Sequence, residues 1–343
     1  MQILKTTSVL LTLGTAAAAD VPNVVTDIAP IQSIVAGVMG DLGQPTMIVD
    51  ANQDAHNFSL RPSQARQLQD ADVIIWVGES LLPFLPDTFA SLASSVSPLA
   101  LIDVISEDKL LDWDDEHHDG HDDHDDHEEE GHDDHDEEGH DDHAEDDHDD
   151  HKDEDHADHD DHGDEDGHDD HDHAGHDPHI WLDPSLMIDV VPAIAETLSA
   201  ADPENAATYA ANAQTVIADM NALKPEISGI LTQQTRPILA LHDSLGYYEI
   251  AFPAIEVLAI PESDGSNNSL DDAALLEQLI ADEKPACAMI EPFAENAGLS
   301  VLSERNGVPL ASMDVMGRDF DMGADRYRNM MIALAITIAS CGE

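Results

Sequence analysis

Val73-Ile74-Ile75-Trp76-Val77-Gly78 is the stretch whose reading decides the fold. Five apolar residues in a row, four of them β-branched, closed by a glycine, read as a strand buried on both faces. Such a strand belongs to a parallel sheet with helices on each side. The flanking sequence agrees. Upstream, 23–26 is a short β-branched run, 31–39 has helical periodicity and 46–49 is a second strand. Pro62 then opens a helix with Leu68 on its inner face, and Arg61 and Ser63 place polar groups near its start. Downstream, a helix is expected near 84–94 and a strand near 99–104.

The alternation returns later in the chain. Strands are expected at 237–241, 254–258, 287–290 and 310–313, and helices at 270–281, 295–304 and 326–340. Leu275, Leu276 and Leu279 share one face of the first of these helices. Between the two sets, 185–200 and 203–223 give helical periodicity with almost no strand signal, and Pro225 is placed to kink that stretch. The class is therefore α/β, with two parallel-sheet domains joined by helix. We place the N-terminal lobe at 20–184, the connecting helix at 185–235 and the C-terminal lobe at 236–343.

Residues 1–19 read as a cleavable signal peptide. Lys5 is the positive end, 9–13 the short apolar run, and Ala17 and Ala19 the small residues before the cut at Asp20. The run is too short to span a bilayer, and no later segment reaches about 18 uncharged apolar residues. No cysteine stands at the cleavage site to take a lipid. The expectation is an exported, soluble protein. Cys287 and Cys341 are the only cysteines, and in an exported chain such a pair reads as a disulfide, the alternative being two metal ligands.

Inserted in the first lobe is a loop, 112–177, of histidine, aspartate and glutamate. It holds 37 of the 74 acidic residues against one base, Lys152, and the rest of the chain keeps a net charge of −26. So acidic a protein is not expected to bind nucleic acid. Too poor in apolar residues to offset its ordering entropy, the loop is read as disordered. Eighteen of the 21 histidines lie in it: His117, His118, His121, His124, His127, His132, His135, His140, His143, His148, His151, His156, His159, His162, His168, His171, His173 and His176. An acidic run alone would be a solvated linker. Imidazole every few residues points instead to an accessory, low-affinity collector of transition metal.

The other three histidines, His56, His179 and His242, each stand at or just after a strand end. Asp314 ends a strand in the same way. Loops at the carboxyl ends of parallel strands form the ligand crevice of such folds, so these four residues can converge on one site. Three imidazoles and a carboxylate suit tetrahedral zinc. Each also has a plainer reading: a hydrogen-bonded histidine at a strand end, or a turn-capping aspartate. Asp183 either orients His179 or caps the next helix.

His56-Asn57-Phe58-Ser59-Leu60-Arg61-Pro62-Ser63, the stretch 71–78, Pro178-His179-Ile180-Trp181-Leu182-Asp183-Pro184 and 241–248 around His242 resemble, in this order, the zinc-binding solute receptors of bacterial ABC importers. The resemblance covers 21–343 and extends to the charged histidine-rich loop. It implies two lobes joined by a long rigid backbone helix, zinc between them, and His56, His179, His242 and Asp314 as its ligands. It also implies a Cys287–Cys341 bridge. Some relatives have an acidic residue where Ala55 stands, which leaves the fourth position to Asp314 or water. The expected function is capture of Zn²⁺ in the periplasm by a monomer and its delivery to an inner-membrane ABC zinc permease, with no enzymatic activity. The competing readings are a stand-alone periplasmic zinc buffer and a three-histidine zinc hydrolase with Glu291 as its base; the second lacks a His-Glu-x-x-His motif.

Overall fold

The structure is a computed structural model and describes residues 21–93, 96–112, 175–259, 270–292 and 297–341. The expected signal peptide and the loop histidines from His117 to His173 lie outside the described residues. Every described residue belongs to one compact unit.

In the first half, β1 (Val24–Thr26), α1 (Ala29–Met39), β2 (Thr46–Met47), α2 (Pro62–Gln69), β3 (Val73–Trp76), α3 (Leu85–Leu92) and β4 (Leu99–Ala100) alternate along the chain. The strands form one parallel sheet in the order β2-β1-β3-β4. All four residues of β3 are buried, as its apolar run requires. β4 is shorter than expected. The Leu101 and Ile102 N–H groups still reach the Trp76 and Val77 carbonyls, but the chain then tightens into a 3₁₀ turn at Ile102–Val104. At the carboxyl ends of β1 and β3, Asp27 acts as a clamp. Its Oδ1 accepts from the Ile28 N–H at 2.8 Å and its Oδ2 from the Val77 N–H at 2.7 Å. Burial nevertheless pushes its carboxyl up to about 6.

The helical stretch expected over 185–235 resolves into two helices, α4 (Pro184–Ala201) and α5 (Ala206–Leu231). The break lies at 202–205, where the Asp202 carboxylate accepts from the Tyr209 hydroxyl at 2.9 Å and the Asn205 amide at 2.7 Å. α5 runs on through Pro225. Its 26 residues span about 39 Å. Among the described helices α4 is the one long and apolar enough to cross a membrane. It is a core helix, however: Leu186, Met187, Val190, Val191, Ile194 and Leu198 are buried in the protein.

In the second half, β5 (Ile238–Ala240), α6 (Gly246–Ala251), β6 (Val257–Ala259), α7 (Leu270–Glu283), β7 (Ala288–Ile290), α8 (Ala297–Asn306), β8 (Leu310–Ser312) and α9 (Arg326–Ala339) follow. The second parallel sheet has the order β6-β5-β7-β8. α5 packs on α1 and α4 and also on α9, so it touches helices of both halves. One hydrophobic core runs through them, including Ile75, Trp181, Tyr209 and Met330; a smaller cluster gathers Leu239, Leu276, Ile280, Ala288 and Val308. Directed bonds pin the halves as well. The Trp181 indole N–H donates to the Val315 carbonyl and the Tyr327 hydroxyl to the Trp181 carbonyl, both at 2.9 Å. Ser33 Oγ donates to the Gly323 carbonyl at 2.7 Å and accepts the Tyr327 N–H at 2.9 Å. Cys287, just before β7, and Cys341, just past α9, form a disulfide with Cα atoms 5.3 Å apart.

Candidate metal centre

Three loops bring the non-tract histidines to one place. His56 sits on the connection from β2 to α2. Gln64, in the first turn of α2, anchors that connection: its Oε1 accepts the Arg61 N–H at 2.7 Å and its amide donates to the Ile48 carbonyl at 2.6 Å. Asp54 shapes the tip, taking the His56 N–H at 2.9 Å and the Asn57 amide at 2.6 Å. His179 precedes the 3₁₀ turn Ile180–Leu182 and is 1% exposed. Buried Trp181 in that turn lies with its ring 5.1 Å from the His179 ring. His242 follows β5 by two residues, in a turn closed by the Ser244 N–H on its carbonyl.

The ring centroids are 5.2 Å apart for His56–His179, 5.1 Å for His56–His242 and 4.8 Å for His179–His242. One nitrogen of each ring lies within 4.8 Å of the other two. His56 Nε2 and His179 Nε2 are 3.3 Å apart. Two corners of a tetrahedron around zinc, at Zn–N distances of about 2.0–2.1 Å, are separated by about 3.3 Å. The His56–His179 edge already has the size that zinc needs.

The electrostatics suit a cation. His56 is the exposed member of the three, but desolvation of its ring where it faces the others, reinforced by the two neighbouring imidazoles, pushes it down to about 3. Burial holds His179 well below the usual histidine range, with His242 adding to the effect. Protonating one ring disfavours protonation of its neighbours, so His56 and His179 are held neutral with lone pairs available to a metal. Two buried carboxylates stand behind them. Asp177 Oδ1 lies 2.7 Å from His179 Nδ1 and accepts the His179 N–H at 2.8 Å. Glu291, 5% exposed, puts Oε1 3.0 Å from His242 Nδ1. Burial pushes Asp177 up to about 7, against the pull of the His179 N–H and the His242 and His56 rings.

The two ends of the acidic loop meet beside this site. Asp112 and His176 form an antiparallel bridge, and the Asp177 N–H donates to the Leu111 carbonyl at 2.8 Å. The Leu111 N–H donates to the Tyr247 hydroxyl at 2.9 Å, which ties this neck to α6 in the second half. Gly246, at the start of α6, lies against the Leu111 side chain: a Cβ there would come within 2.9 Å of Leu111 Cδ1.

Of the expected ligands, His56, His179 and His242 come together; Asp314 stands outside the group. Its Oδ1 accepts the N–H groups of Met316 and Arg318 at 3.3 and 3.1 Å, and its Oδ2 that of Asp319 at 3.3 Å. Asp183 is the N-cap of α4, accepting the Ser185 N–H at 2.6 Å. The carboxylate facing His179 is Asp177, which sequence reasoning counted only as one more acid of the loop. Its proximity to the Pro178-His179 pair was the available signal.

A sequence profile of the family described as "Zinc-uptake complex component A periplasmic", ZnuA, matches residues 24–341. The chain belongs to the ZnuA family. The high-affinity zinc uptake system protein ZnuA of Paracoccus denitrificans is 39% identical over 334 residues, covering 96% of this chain and 95% of that one. The Brucella abortus protein of the same name is 31% identical over 335 residues, covering 96% and 94%. The fold recurs in a crystal structure of ZnuA, at a TM-score of 0.69 with 19% identity, over 94% of this chain and all (100%) of that one. It recurs again in a zinc-bound deletion mutant of ZnuA, with TM-score 0.69, 18% identity and coverage of 94% and 99%. These likenesses agree with the expected two-lobed α/β fold built on a long helix.

Proposed function

We propose that this chain is a periplasmic receptor that takes up Zn²⁺ and delivers it to an ABC-type zinc permease of the inner membrane. The observation that carries the reading is the convergence of His56, His179 and His242, from three separate loops, with two of their Nε2 atoms already 3.3 Å apart. Zinc is the cargo. Nitrogen donors favour it over manganese or magnesium, which prefer oxygen. Membership of the ZnuA family and the zinc uptake names of the relatives support the same assignment.

In this reading the three Nε2 atoms take the ion and the fourth position goes to water, since Asp314 is engaged by three N–H groups of its own loop. Imidazoles held below their ordinary range, as those of His56 and His179 are, bind tightly because few protons compete. The loop histidines, set among carboxylates that favour imidazolium, bind more weakly and raise the zinc concentration near the site. The receptor acts as a monomer and catalyses nothing. A hydrolase would need a base beside the bound water, and the expected one, Glu291, is committed to His242 Nδ1.

Growth of a deletion strain under zinc limitation tests the reading. The strain should grow poorly in chelator-treated medium and recover with added zinc. Normal growth under limitation, with impaired growth only at excess zinc, would make the protein a buffer.

A further inference from the structure

Histidine can offer either ring nitrogen to a metal, and the hydrogen bond made by the other nitrogen decides which. For two of the three rings here that bond has a defined partner. Asp177 Oδ1 is 2.7 Å from His179 Nδ1, and Glu291 Oε1 is 3.0 Å from His242 Nδ1. Both carboxylates are buried, at 7% and 5% exposure, so water competes little for them. They come from opposite halves: Asp177 from the neck of the acidic loop, Glu291 from the residue after β7. Each is held independently of its histidine, Asp177 by its N–H on the Leu111 carbonyl and Glu291 by a strand hydrogen-bonded on both sides.

We propose that Asp177 and Glu291 are positioning residues for the metal: each takes the Nδ1–H of a ligand imidazole and so commits Nε2 of His179 and His242 to the ion. The assignment rests on the zinc reading for its purpose but not for its geometry. It accounts for two carboxylates that neither the fold nor the ligand set requires, since burying a carboxylate is costly unless its bonds repay it. Asp177 gives the neck a second role. The bond that closes the loop also fixes the carboxylate that orients His179, two residues further on.

The test uses the full chain and the substitutions Glu291→Gln and Asp177→Asn. A side-chain amide keeps the shape but can donate as well as accept, so it no longer selects a tautomer. In metal-free, ¹⁵N-histidine-labelled wild type, long-range nitrogen–proton spectra at a pH well above 7, where the Asp177 carboxyl is ionised, should show protonated Nδ1 and bare Nε2 for His179 and His242. Their signals are assigned by their loss in His179→Asn and His242→Asn. Glu291→Gln should populate the other tautomer of His242 alone, and Asp177→Asn that of His179 alone. Zinc affinity, by chelator competition, should fall about 10- to 100-fold in each, while the urea midpoint of the metal-free protein stays put. Wild-type rings protonated at Nε2, or variants that bind zinc as wild type does, would overturn the assignment. So would affinity lost only in proportion to stability. Wild type that binds no zinc would sink the transport reading, while the tautomers still decide this one.

Discussion

Reducing the Cys287–Cys341 bridge should destabilise the protein without weakening its metal site. The bridge joins residues 54 apart in sequence, with Cα atoms 5.3 Å apart in the folded chain. Closing a loop of that size in the unfolded chain costs about 4 kcal/mol of chain entropy, which an intact bridge takes from the unfolded state only. Against a typical domain stability of about 5–15 kcal/mol, that is a large share. A phosphine reductant leaves both sulfurs in place, so it isolates the cross-link. Cys287→Ala combined with Cys341→Ala should cost on the order of 1 kcal/mol more, because Cys287 is fully buried and its sulfur leaves a cavity. Urea unfolding followed by the fluorescence of buried Trp76 and Trp181 measures both. Zinc affinity of the folded, reduced protein should match that of the oxidised form, since β7, and with it Glu291, is held by its neighbouring strands. The reasoning fails if reduction changes stability by less than about 1 kcal/mol, or if affinity falls with the bridge while the fold persists.

Three further outcomes are expected. His56→Ala should lower zinc affinity by more than the roughly 10- to 100-fold that loss of an outer partner costs; an unchanged chelator titration removes His56 from the ligand set. Deleting 113–174, which keeps the neck, should abolish the weak zinc equivalents seen by equilibrium dialysis and spare the tight one, and loss of the tight one would refute the division between loop and site. Asp27 titrates near 6 when folded and near 3.8 when unfolded. Its folded pKa is the higher, so its contribution is full below about pH 4 and lost as pH rises through 6, by about 3 kcal/mol. Asp27→Asn, which loses the clamp but does not titrate, should therefore show a stability deficit that shrinks between pH 4 and 7. A deficit constant with pH would place the charge elsewhere.

Much of the fold was legible in the sequence because burial on both faces leaves a plain mark: the run from Val73 to Val77 has few alternatives to a central parallel strand. The three histidines stood out because the sequence outside the acidic loop holds no others; the expected place after a strand fits His56 and His242, whereas His179 stands before a 3₁₀ turn. What stayed hidden was selection among like residues. Asp177 carries the same letter as its many neighbours in the loop, and only its burial against His179 sets it apart. Asp314 and Asp183 each had two chemically sound uses. For Asp183 the structure shows the cap: its carboxylate takes the Ser185 N–H, one of the unpaired donors at the helix start. For Glu291 the place after a strand was visible, but its partner 49 residues away was not.

The two sheets share one strand order, β2-β1-β3-β4 and β6-β5-β7-β8, so each has a topological switch point between its first and third strands. In an open parallel sheet that is where the backbone parts and a ligand can enter. In the second sheet the switch point is furnished with His242 and Glu291, one after each strand. In the first, the same place is filled by the Asp27 carboxylate bonded across to the Val77 N–H. In the proposed reading one crevice receives the cargo, while its counterpart is closed by the chain's own hydrogen bond. Of two sheets with one strand order, one thus carries histidine and carboxylate at its switch point, and the first half brings its histidines to them from loops further out.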